Sequence, residues 1–184
     1  MPIRNTNARW GAVAQTFHWV IVALVITQFA LANEYNHLPL GLAKLAVIAK
    51  HKSVGLTIFG LTVLRLAWRF VNPTPVLPDT LKPYERVLAR VTHFGLYALI
   101  LVMPITGWIM SSARSFPVSW FGLFQLPDLV SRNRALYDAM HTTHDVLAGT
   151  LVAFAALHVL AALKHHFYLK DDTLRRMLPF TRTR

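Results

Sequence analysis

The chain has 184 residues, 54% of them hydrophobic and 15% charged, with a mean hydropathy of +0.41; that composition excludes an ordinary soluble domain and points to a membrane protein. The formal net charge of +11 does not describe a nucleic-acid surface, because the basic residues flank apolar stretches and form no polar face of their own. The absence of cysteine excludes disulfides, thiolate metal sites, iron–sulfur clusters and covalently attached c-type haem, so any cofactor is held non-covalently.

Four long apolar stretches follow one another, at about 12–32, 45–70, 91–113 and 142–168. At a rise of ~1.5 Å per residue even the shortest reaches roughly 31 Å, enough for the hydrocarbon core of a bilayer. They predict an all-α fold, an integral membrane four-helix bundle, with residues 1–184 forming a single transmembrane domain. The first stretch contains His18 and Gln28 and is followed by no small-residue cleavage pattern, so it reads as a retained span and not as a signal peptide. The second and fourth are long enough to tilt or project, and Lys50, Lys52, Arg65 and Arg69, then Lys164 and Lys170, stand near their ends, where long cationic side chains can snorkel.

Between the second and third stretches, Asn72-Pro73-Thr74-Pro75-Val76-Leu77-Pro78 forbids a continuing helix and predicts an extended connector. Residues 116–124, between the third and fourth, are aromatic but too short to span and are expected to lie along the membrane interface. With four spans, both termini and the second connection share one side. That side, helix ends included, holds thirteen of the nineteen lysines and arginines (Arg4, Arg9, Arg65, Arg69, Lys82, Arg86, Arg90, Lys164, Lys170, Arg175, Arg176, Arg182 and Arg184). The positive-inside rule therefore puts both termini in the cytoplasm.

Nine histidines fall mostly within or beside the spans, where an ionisable side chain is costly and needs a partner. His144 and His158 are fourteen positions apart, about 40° short of four full helical turns, so they share a face while standing ~21 Å apart along the axis. Two stacked sites are implied. By depth, His18 pairs with His158 toward the cytoplasm and His51 with His144 toward the outer face. Facing imidazoles from two helices are the ligand set of six-coordinate haem b, a state suited to electron transfer because neither axial position is open to substrate. Small neighbours one turn away, namely Ala14, Gly55, Ala148, Ala155 and Ala162, suit the close approach of a flat macrocycle, and equally suit helix–helix contact. Zinc or nickel is the rival, poorly served by four histidines at two depths with no carboxylate among them. His93 reads as a spare ligand, a haem-propionate contact or an interhelical hydrogen bond, and His141 as an alternative outer ligand. His165, about 20° from His158 in azimuth, is the tentative quinone contact, or else an interfacial histidine bonded to lipid or water. His37 reads as a loop residue.

These residues occur in ordered motifs: Thr16-Phe17-His18-Trp19, His51-Lys52-Ser53-Val54-Gly55, Arg65 to Arg69 running into Asn72-Pro73-Thr74-Pro75, Met103-Pro104-Ile105-Thr106-Gly107, His144 followed by His158, and a tail from His165-His166 to Asp171-Asp172-Thr173-Leu174. Nearly the whole chain thereby resembles the bacterial cytochrome b561 family. The resemblance implies a four-helix protein of the bacterial inner membrane with two haem b groups, with His18, His51, His144 and His158 at the family's ligand positions. It also implies, for the compact type this chain is similar to, oxidation of periplasmic superoxide and reduction of ubiquinone. Lys50, Lys52 and Arg114 near the outer site fit the steering of an anion, and equally fit interfacial anchoring. The alternative is a cytochrome b subunit linking a periplasmic dehydrogenase or hydrogenase, or another periplasmic redox protein, to the quinone pool.

Overall fold

A computed structural model describes residues 2–76 and 81–181. Leu77 and Pro78 of the proline connector, and Arg182 and Arg184 of the charge count, lie outside the described residues. Four helices, each long and apolar enough to cross a membrane, make up the body: α1 (Ala12–His37), α2 (Leu42–Phe70), α3 (Pro83–Ala113) and α4 (Arg134–Leu163). α1 packs on α2, α2 on α3 and α3 on α4. Much of the outward surface is apolar, including Val63, Leu64, Phe94, Val102, Val152, Leu157 and Leu160, as expected where the surrounding solvent is lipid.

The helices outrun the apolar stretches because polar first turns extend them. α3 begins at Pro83, eight residues before its apolar run, with proline at the first helical position and the Glu85 carboxylate accepting from the Lys82 amide at 3.0 Å, a favoured N-terminal arrangement. α4 begins at Arg134 because the Asn133 side chain accepts from the Leu136 amide at 3.0 Å, capping an otherwise unpaired donor. α1 runs on to His37, which is therefore its last helical residue and not a loop residue; its Nδ1 lies 2.7 Å from the Asn33 carbonyl.

Residues 116–124 do more than lie along an interface. Val118–Trp120 (β1) pairs antiparallel with Phe124–Leu126 (β2), Trp120 opposite Phe124. Phe121 and Gly122 both carry positive φ, 48° and 75°, the turn geometry that matches strand twist. α2 fixes this hairpin in place. The Ser53 hydroxyl accepts from the Phe121 amide at 2.9 Å, Trp120 Nε1 donates to Thr57 Oγ1 at 3.0 Å, and Lys52 Nζ donates to the Pro117 carbonyl at 3.1 Å.

The opposite end of the bundle carries the first and last described residues, Pro2 and Thr181. Asn5 ties the N-terminal segment down by accepting from the Gly11 amide at 2.9 Å and donating to the Pro73 carbonyl at 3.0 Å. After α4 a π-helical turn (Lys164–Leu169) redirects the chain so that the tail crosses the start of α1. There Gln15 Nε2 donates to the Arg176 carbonyl at 3.1 Å, Trp19 Nε1 to the Met177 carbonyl at 2.9 Å, and Arg9 to the Leu178 and Thr181 carbonyls.

α3 and α4 approach closely at Gly95, where an added Cβ would stand 2.3 Å from Cε1 of Phe154. Gly95→Ala is therefore expected to destabilise the bundle by about 1–3 kcal/mol through overpacking. A Cβ at Gly60 meets nothing within 4 Å, so Gly60→Ala is expected to leave stability unchanged or slightly raised. Thermal unfolding in detergent, followed by helical circular dichroism, separates the two variants.

Candidate functional site

α4 stands apart from two of its three partners: among the described residues no Cα of α4 lies within 8 Å of any Cα in α1 or α2. Only Leu151 of α4 is buried. Across these separations two imidazole pairs nevertheless face each other. The ring centroids of His18 and His158 are 6.2 Å apart, and those of His51 and His144 are 6.4 Å apart. The structure thus brings together both pairs expected from depth and phase.

The spacing tests what such a pair can hold. With a metal–imidazole bond of ~2.0 Å and a ring centroid ~1.1 Å from its nitrogen, two imidazoles on opposite sides of one ion have centroids about 6.2 Å apart. Both pairs fit. His93 and His158, at 5.3 Å, are too close to bracket an ion in the same way; the His93 ring packs edge-on against His158. His141 turns outward, its Nδ1 3.2 Å from the Asp145 carboxylate and its ring against Tyr137, and does not stand in for His144. Among the described residues no group of three or more His, Asp or Glu converges on a point where a bare metal ion could be held. Paired imidazoles in clefts between helices suit a planar group with two open axial positions better than a tetrahedral ion.

One ring has its orientation set by α3. The Thr106 hydroxyl donates to the Met103 carbonyl at 2.7 Å and lies 2.9 Å from Nδ1 of His144. Its proton being committed to Met103, it accepts from Nδ1–H, which leaves Nε2 as the free lone pair. Gly107 lies beside the same ring, where a Cβ would sit 3.5 Å from His144 Cε1. His51 is held through its backbone, whose carbonyl accepts from Gln28 Nε2 at 3.0 Å. The same amide nitrogen would be 3.2 Å from a Cβ on Gly55, so Gly55 serves the α1–α2 contact. The Nδ1 atoms of His18 and His51 are buried without a hydrogen-bond partner.

At the terminal end His165 pairs with Asp171, Nδ1 to Oδ2, at 2.6 Å, and the other carboxylate oxygen accepts from the Thr173 amide at 2.8 Å. Partial burial works to raise the Asp171 pKa, but the hydrogen bonds from His165 and Thr173 outweigh it and hold the carboxyl below its ordinary value of 3.8. The π-helical turn and the left-handed Lys170, φ 54°, bring the two side chains round to meet. Near the hairpin, Lys52 is engaged with Pro117 and Arg114 lies over the Tyr137 ring at 4.1 Å, while Lys50 is exposed. A groove of about 440 Å³ lined by Ser112, Ser115, Asp128, Ser131 and Arg132 opens beside them.

A family model described as prokaryotic cytochrome b561 matches residues 9–180. The chain is 34% identical to "Cytochrome b561 homolog 2" of Escherichia coli (strain K12), over 97% of this chain and 95% of that protein. It is 32% identical to "Probable superoxide oxidase CybB" of Yersinia pestis, over 94% of this chain and 97% of that protein, and 26% identical to "Cytochrome b561 homolog 1" of the same E. coli strain, over 88% and 92%.

In the sequence Thr106 is visible only as part of a motif, and the geometry gives it a specific effect. An acceptor on Nδ1–H makes an imidazole a more basic ligand and favours the oxidised metal. Thr106→Val is therefore expected to raise the midpoint potential of one bound haem by roughly 20–60 mV, the equivalent of one hydrogen bond of ~0.5–1.5 kcal/mol, and to leave the other unmoved. A spectroelectrochemical titration resolves the two.

Proposed function

The chain belongs to the prokaryotic cytochrome b561 family, and we propose that, as a di-haem b electron-transfer protein of the bacterial inner membrane, it oxidises superoxide on the outer side and reduces ubiquinone on the inner side. His18 with His158 and His51 with His144 are the proposed axial ligands. Both termini are proposed to be cytoplasmic, which makes the hairpin end periplasmic. The observation that carries this reading is the pair of imidazole couples at two depths, joining the two ends of the bundle. The likeness to a probable superoxide oxidase supports the choice of substrate.

When bound, each haem supplies a one-electron ferrous–ferric couple at its site. The chain's own residues do the rest. His144 is presented through Nε2 because Thr106 holds Nδ1. Gln28 bonds the His51 backbone to α1, and α3 bridges to α4. At the hairpin end Lys50, Lys52 and Arg114 raise the local concentration of an anionic radical. Two superoxide ions give up one electron each and leave as dioxygen; ubiquinone takes those two electrons and two protons to become ubiquinol. His165 is the proposed contact for the quinone head group. Its Nδ1 is bonded to the Asp171 carboxylate, which fixes the orientation of the ring.

Haem-loaded protein given a superoxide source and a ubiquinone analogue is expected to reduce the quinone, and superoxide dismutase is expected to abolish the reaction. Haem that quinol reduces but superoxide never does would sink this assignment. For the ligands, His51→Ala or His144→Ala is expected to remove one haem signal and His18→Ala or His158→Ala the other, read from haem content and the reduced-minus-oxidised spectrum. Loss of the His51–His144 signal on replacing His18 refutes the pairing.

A further inference from the structure

α2 supplies no imidazole to the His18–His158 couple, yet its terminal half presents two guanidinium groups there. Arg65 and Arg69 lie on the helix face that also carries His51, Ile58 and Thr62, since steps of 7, 11, 14 and 18 residues from His51 all return within about 40° of its azimuth. Ile58 and Thr62 are buried, which marks that face as interior. Among the described residues neither guanidinium makes an ion pair or hydrogen bond; Arg65 lies over the Tyr97 ring at 5.5 Å, and Arg69 over Tyr97 and Trp10, each at 5.8 Å. An unpaired cation within a membrane span is costly, and aromatic faces alone compensate it poorly.

A second observation comes from the same place. Arg65, Trp68 and Arg69 line one narrow cleft, about 10 Å³, with Trp10, Ala14 and Tyr97. Trp68 Nε1 is buried there without a hydrogen-bond partner. Ala14 is one helical turn from His18 on α1, so the cleft it lines opens beside that ring. The cleft therefore offers two forked cationic donors and an indole N–H, beside the imidazole couple, with no acidic side chain among its lining residues to meet them. Planar carboxylates are what a guanidinium fork recognises.

We infer that Arg65 and Arg69, with the Trp68 indole N–H, seat the propionate carboxylates of the haem held at the His18–His158 couple. The inference rests on the ligand assignment proposed above. The arginines act as positioning groups: they would neutralise the carboxylates within the membrane and hold the bound group in one orientation. The phosphate of an anionic lipid at the same depth is the other source of a matching anion.

The test uses full-length, haem-loaded protein with Arg65→Gln, Arg65→Lys and Trp68→Phe, alongside His18→Ala, and reads haem content, midpoint potentials and the resonance Raman propionate modes. The expected result is that Arg65→Gln lowers the potential of one haem, the one His18→Ala removes, and alters its propionate modes. Arg65→Lys restores most of the potential, because the charge returns without the fork, and Trp68→Phe changes the propionate modes with a smaller shift in potential. Unmoved potentials and propionate modes in Arg65→Gln at full haem content overturn the inference, as does an equal shift of both haems. So does loss of co-purifying anionic lipid from Arg65→Gln with both haems unchanged, which assigns the cleft to a lipid phosphate. If His18→Ala spares both haems, the ligand assignment falls; if His18→Ala removes one haem and Arg65→Gln leaves that haem's properties intact, the propionate seat alone falls.

Discussion

The distance between facing imidazoles is the constraint on which the rest of the bundle depends. Rings 6.2 and 6.4 Å apart require backbones too far apart for ordinary helix packing, which brings axes within ~8–10 Å. α4 accordingly touches neither α1 nor α2 through its backbone and leans on α3. α3 must then act as a spacer, and its sequence suits that role, since Gly95 admits the Phe154 ring at close range. At the hairpin end β1 and β2 are bolted to α2 by Ser53, Thr57 and Lys52. At the other end the tail is tied across α1 by Gln15 and Trp19. Each end of the bundle is therefore closed by chain that is not itself a span.

Lipid supplies no hydrogen bonds, so polar side chains within the spans find partners inside the protein or mark a site. Most do the former at short range, as Thr27, Ser53, Thr57 and Thr150 do by bonding a carbonyl one turn back. The exceptions include His18 Nδ1, His51 Nδ1, Thr62 Oγ1 and Trp68 Nε1, which are buried and unpartnered, and Arg65 and Arg69, which face only aromatic rings. Two of these residues, His18 and His51, belong to the facing imidazole couples, and Trp68, Arg65 and Arg69 line a single cleft.

The four spans are legible in the sequence because a helix in lipid must be apolar over a fixed length, and the imidazole pairs are legible because depth and phase survive from sequence into structure. Helix ends are not: the first turns of α3 and α4 are polar and lie outside any apolar window, and only capping chemistry at Lys82–Glu85 and Asn133 marks them. The hairpin leaves no signal because three-residue strands carry no usable period, and its stability comes from Ser53, Thr57 and Lys52, more than sixty residues away. The His165–Asp171 pair depends on a π-helical turn that nothing in local composition signals. Arg65 and Arg69 read in sequence as snorkelling ends, since spacing alone does not distinguish an arginine that reaches the interface from one that turns inward.

On the proposed ligand assignment the two ends are also electrostatically unlike. The His51–His144 couple has one ring made more basic by Thr106, which favours its oxidised state. The His18–His158 couple lies beside the Arg65 guanidinium, and a nearby positive charge favours the reduced state by disfavouring a further cation. Cations stand near both couples, Arg65 at one and Lys52, which follows His51 directly, at the other. The hydrogen bond between Thr106 and the His144 ring is therefore what makes the two ends unlike, and it comes from α3, a helix that supplies no imidazole to either couple.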